Sequence, residues 1–158
     1  MSVMTRRAVP LVTLILTALL LAGCGGSAVS RSDVIARGNA LCAAALRQIR
    51  TLAPPTTAPA SLTAMSSYLH QIVPIVEKEI AGLRKLPVPD KGQRLFNSYI
   101  RSVTVTAADY RTLEHAAQAG DQTGVDAALS ALSTSSASSL AAAYGFGQCA
   151  TAAGTAVA

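Results

Sequence analysis

Between Leu62 and Leu83, large apolar side chains recur at steps of three and four: Leu62, Met65, Leu69, Ile72, Val76, Ile80 and Leu83. That spacing lines one face of a 3.6-residue helix, and strand alternation cannot reproduce it. A helix that is apolar on one face must be covered by others, so the stripe predicts helix-on-helix packing. Pro74 falls inside it. The pattern continues on both sides of the proline, which predicts a kink rather than an end.

Three more segments read the same way. Ser32, with Asp33 in the first turn, is placed as the N-cap of a first helix. Ile35, Cys42, Leu46 and Ile49 line one face of it, with Asn39 and Ala45 beside them. Pro54, Pro55 and Pro59 then close it in a stiff loop. Ser61 opens the second helix, and Pro87 and Pro89 follow its end. A third helix is expected from about Gln93 to Ala119, on Leu95, Tyr99, Val103, Ala107 and Tyr110, then Leu113 or His115. Its β-branched run (Val103, Thr104, Val105, Thr106) would suit a strand, but helical spacing on either side outweighs it. Gly120 and Asp121 read as a stop and a new cap. The fourth helix carries Val125, Leu129, Leu132, Ser136, Leu140 and Tyr144, and its small-residue middle, "LSTSSASSL", favours close backbone approach, with a loosely packed, mobile segment as the alternative. Four helices with short connections predict an all-α, up-down four-helix bundle over residues 31–153, with a tail at 154–158.

The N-terminus has a different logic. Arg6 and Arg7 precede an uncharged apolar run of 14 residues from Ala8 to Leu21. A membrane span needs about 20 such residues. A short run behind two positive charges fits a secretory signal peptide instead. Leu21, Ala22 and Gly23 lead into Cys24, matching a lipobox, where small residues admit the peptidase and only a thiol can form the lipid thioether. This segment resembles a bacterial lipoprotein precursor. The resemblance implies that residues 1–23 form a cleaved signal, that Cys24 carries diacylglycerol and a palmitate-type acyl group, and that residues 24–30 form a flexible tether. It also implies a place on the extracytoplasmic face of the cell membrane, held by the lipid on Cys24. Thr5-Arg6-Arg7-Ala8-Val9 partly resembles a twin-arginine signal, although Pro10 and the lack of a following lysine fit it poorly. Both export routes stay open on these residues.

Removing residues 1–23 leaves 135, enough for one domain, and lowers the formal charge from +5 to +3. The remaining basic residues are scattered without interleaved aromatics, so no nucleic-acid partner is expected. Two cysteines remain once Cys24 is assigned to lipid. In an oxidising compartment an even pair predicts a Cys42–Cys149 disulfide. An up-down bundle would set the first and last helices antiparallel side by side and let the bridge staple them. His70 and His115 stand at no ligand-like spacing from a cysteine, so neither a metal nor another cofactor is expected. The segments "GNALCAA" (38–44) and "YGFGQCA" (144–150) are similar to those of small helical lipoproteins of actinobacteria, which implies architecture and location rather than mechanism.

Catalytic chemistry finds little support. His70 shares a helix face with Glu77, which could orient it, and His115 follows Glu114 near a helix end. Glu77-Lys78-Glu79 reads as an exposed charge cluster. The serine-rich stretch holds no G-x-S-x-G or S-x-x-K arrangement. Gly145-Phe146-Gly147 reads as a helix C-terminus with Phe146 packing back on the bundle. The sequence-level expectation is therefore a non-enzymatic, membrane-anchored interaction or structural module that engages envelope proteins. The alternative is a carrier of lipid or small apolar ligands, with a pocket between helices two, three and four and Tyr99 and Tyr110 as polar handles.

Overall fold

The computed structural model describes residues 29–55 and 61–155; the expected signal peptide and Cys24 lie outside them. The described residues form six helices: α1 (Arg31–Arg50), α2 (Leu62–Leu83), α3 (Gln93–Ala119), α4 (Gln122–Ser133), α5 (Ala137–Tyr144) and α6 (Gly147–Thr155). No strand occurs among the described residues, and the β-branched run lies within α3. The described part of the chain is all-helical, and α2 runs through Pro74, whose ring is exposed.

Local chemistry sets the boundaries. α1 is capped by Ser30, two residues before the expected cap: Asp33 N–H donates to Ser30 Oγ while Ser30 N–H donates to the Asp33 carboxylate, both at 3.2 Å. This reciprocal pairing satisfies two donors that a lone Ser32 cap would leave open. The Ser30 hydroxyl, donating to Asp33 Oδ2 at 2.7 Å, and then the Ser30 N–H hold the Asp33 carboxyl below its usual range. Gly120 takes the left-handed conformation (φ 71°) that ends α3, and Asp121 Oδ1 accepts from Gly124 N–H at 3.0 Å to open α4.

The expected single fourth helix is instead three pieces. At 133–135 the chain closes on itself: Ser133 and Thr134 hydroxyls donate to the carbonyls of Ser130 and Ala131, and Thr134 and Ser135 N–H groups bond three residues back. Serine and threonine thus offer the backbone an alternative to the α-helical ladder. Gly145 (φ 107°) then terminates α5, with Phe146 N–H donating to Ala141 O at 2.8 Å.

α2 and α3 form an antiparallel spine, shown by the pairs His70–Glu114, Glu77–Arg111 and Arg84–Thr104. Two buried clusters sit along it. The first joins Val34, Cys42, Leu83, Phe96, Tyr99, Ala141, Tyr144, Phe146 and Cys149, closed by α1, α5 and α6. The second joins Leu69, Val73, Tyr110, Leu113, Ala117, Val125 and Ala128, closed by α4. α6 departs from the expected antiparallel pairing with α1. Gly145 lies against Ile35, Phe146 against Gly38, Gln148 against Asn39 and Cys149 against Cys42, so positions on both helices advance together. The left-handed turn at Gly145 reverses the chain, sending α6 back along α5 and parallel to α1.

Candidate functional site: the disulfide and its neighbouring carboxyl

Cys42 and Cys149 are disulfide-bonded, with Cα atoms 5.0 Å apart and a sequence separation of 107. The separation lies inside the roughly 4.4–6.8 Å that an unstrained bridge tolerates. α1 and α6 present the two sulfurs to each other because Gly38 lets α1 approach the Phe146 ring and because Asn39 grips the α6 entry. Its Oδ1 accepts from Gln148 N–H at 3.0 Å, and its Nδ2 donates to Gly145 O at 3.4 Å. Both cysteines are buried.

A third group completes the site. Glu79 Oε1 of α2 lies 2.9 Å from Cys42 Sγ. A disulfide sulfur has no hydrogen to give, so the bond requires a protonated Glu79 whose O–H donates to Sγ. Burial favours that form below neutral pH, lifting the Glu79 carboxyl from its ordinary 4.5 to about 7. Tyr99 of α3 faces the same region; burial first, and the Glu79 charge second, keep its hydroxyl un-ionised well above the usual 10. A narrow cleft of about 70 Å³ between α1 and α2, lined by Leu41, Gln48, Ile75 and Lys78, reaches Glu79 from solvent. Neither ion pair of α2 and α3 involves it. The donor atoms of Cys42, Glu79 and Cys149 lie within 4.8 Å of one another, but with the sulfurs joined the set offers no thiolate to a cation.

The exposed cluster expected at Glu77, Lys78 and Glu79 is thus divided: Lys78 is exposed and Glu79 is turned inward. Sequence reasoning missed Glu79. The signal was its place seven residues after Ile72 and four before Leu83, both buried. Glu77 does not orient His70. Its carboxylate accepts from Arg111 Nε at 2.7 Å, while His70 Nδ1 meets Glu114 Oε1 at 2.8 Å on a largely exposed face. His115 is exposed.

Two larger clefts flank the break between α4 and α5. Ser102–Ser136 (3.0 Å) and Thr106–Ser135 (2.7 Å) hydroxyl pairs tie α3 to the break and form the ridge between them. On one side lies a cleft of about 420 Å³, lined by Thr106, Tyr110, Leu129, Leu132, Ser133 and Ser138. On the other is a more open groove of about 490 Å³ with Arg101, Asp109, Leu140 and the exposed Val105. Tyr110 borders the first cleft, its hydroxyl raised to about 12 by burial and then by Tyr68. Tyr99 belongs to the core instead. Compared with protein-family models, curated proteins and solved structures, the chain matches none.

Proposed function

We propose that the chain is an extracytoplasmic lipoprotein, anchored through lipid on Cys24, whose helical domain is an interaction or structural module of the cell envelope. The observation that carries this reading is the Cys42–Cys149 bridge, a bond that persists in oxidising compartments and follows a lipobox in the same chain. The domain is an all-helical assembly in which α1 and α6, joined by the bridge, close one end of the α2–α3 pair and α4 covers the other. Its partners are the membrane, through the lipid, and envelope proteins met by the exposed faces. Intact-mass measurement of membrane-extracted protein tests the anchor. Cleavage before Cys24 with added diacylglycerol and acyl mass is expected, and Cys24→Ala abolishes both; an unmodified chain starting at Met1 overturns the reading.

The cleft beside Tyr110 favours a second reading, a carrier of lipid or small apolar ligands. Leu129 and Leu132 supply apolar wall and the serine and threonine hydroxyls a polar rim. Native mass spectrometry of protein purified from membranes separates the two: a bound small molecule lost on Leu129→Arg supports the carrier, and an empty domain supports the module.

A further inference from the structure

We propose that Cys42, Cys149 and Glu79 form a thiol–disulfide exchange site, in which Glu79 gives a proton to Cys42 Sγ when a dithiol reduces the bridge and takes it back when the bridge re-forms. The proposal goes beyond anchoring and does not depend on it. It rests first on the 2.9 Å contact, which places an acid on one particular sulfur of the pair. It rests next on what surrounds that acid. No ion pair involves Glu79 among the described residues, and a carboxyl without a cation is a costly way to fill the edge of a core. The groups facing it are Cys42 of α1, Cys149 of α6 and Tyr99 of α3, with exposed Lys78 at the rim of its cleft. That cleft, at about 70 Å³, is wide enough to admit water. Solvent protons therefore reach the carboxyl while the sulfurs stay covered.

The two sulfurs are not equivalent. Cys42 is in the middle of α1, fully covered, whereas Cys149 is in the first turn of α6, the short helix behind the Gly145 turn. Lifting α6 breaks the two Asn39 bonds and uncovers Cys149 first. One thiolate of the dithiol attacks Cys149 Sγ. The protein S–S bond breaks, and its electron pair leaves on Cys42 Sγ, which takes the Glu79 proton. The second thiol of the reductant, losing its proton to water, then attacks the reductant's own sulfur in the mixed disulfide. Cys149 leaves and is protonated from solvent, and the reductant departs as a cyclic disulfide. Two electrons and two protons have passed to the protein, and cleft water reprotonates Glu79. Re-oxidation runs the same steps backwards, with the Glu79 carboxylate as base toward the Cys42 thiol.

The test is reduction of the full chain by dithiothreitol from pH 5.5 to 8.5, followed by alkylation and mass spectrometry. Rates are expressed per reductant thiolate and compared with those of Glu79→Gln. Below pH 7 the native chain is expected to react at least about tenfold faster than Glu79→Gln, with the two converging above pH 8. A change in how readily α6 lifts would shift the ratio equally at every pH, and loss of stability on ionising Glu79 would shift it the opposite way. A ratio independent of pH, or rising with pH, overturns the proposal. Should Glu79→Gln fail to fold, the native profile decides alone: the rate per thiolate must fall as pH rises through 7, and a flat profile overturns the assignment.

Discussion

Gly38 of α1 lies directly beneath the ring of Phe146. A Cβ at Gly38 would come within 2.8 Å of the Phe146 Cδ1 and Cζ atoms, and closer still to Cε1. The ring cannot yield, because it is fully buried and packed against Phe96, Tyr99 and Tyr144, with centroids 6.2, 5.5 and 4.6 Å away. In an open helix, Gly→Ala gains about 0.5–1 kcal/mol. Here overpacking of about 1–3 kcal/mol or more opposes that gain. Gly38→Ala is therefore expected to lower stability by about 1–2 kcal/mol in urea unfolding, whereas an unchanged or higher midpoint contradicts the packing described.

Loss of the bridge is the largest single change expected. Cys42→Ala with Cys149→Ala should cost about 2–5 kcal/mol, the chain-entropy model giving about 4.7 for a loop of about 100 residues. The bridge spans a sequence separation of 107. Circular dichroism should show that helix content is retained below the lowered melting temperature.

Glu79 makes stability depend on pH with a definite sign. Its folded pKa, about 7, lies above the ordinary 4.5, so between these values the folded state holds the proton more tightly than the unfolded one. Stability therefore falls as pH rises from about 4.5 through 7, by up to roughly 3 kcal/mol. Urea titrations at pH 5 and 8 should show this loss, and Glu79→Gln should flatten it and be the more stable chain at pH 8.

Tyr144 is fully buried beneath Arg31, whose guanidinium lies 5.2 Å from the ring centre and donates to Tyr144 O at 2.9 Å. Its own hydroxyl has no hydrogen-bond partner among the described residues. An unpaired buried hydroxyl costs stability, so Tyr144→Phe is expected to raise the melting midpoint by the equivalent of about 1 kcal/mol. A drop in the midpoint would show that the hydroxyl is bonded.

The parts of this fold that sequence reveals are those written in large side chains or in backbone-specific residues. The stripe from Leu62 to Leu83 marks α2, Gly120 and Asp121 mark the α3–α4 junction, and Phe146 packs back as its flanking glycines suggest. α1 is harder to read because its buried face includes Gly38 and Ala45, which carry almost no hydrophobic signal. The α4–α5 break has no proline or glycine to announce it. Serine and threonine end α4 through hydroxyl bonds to their own backbone, a competition that carries no mark in the hydrophobic pattern. The disulfide follows from counting cysteines, but its neighbour does not: charge placed Glu79 outside, while helical position placed it beside Ile72 and Leu83.

The bridge also determines how the domain carries tension. A pull on the two ends of the folded chain travels along the first part of α1, crosses from Cys42 to Cys149 and leaves through the remainder of α6. The span between the cysteines, a sequence separation of 107, lies off that path and bears no load. While the bond holds, only the segments before Cys42 and after Cys149 can be drawn out, at no more than about 3.6 Å per residue. α2, α3 and α4 lie wholly between the two cysteines, so a pull on the ends cannot extend them while the bond holds.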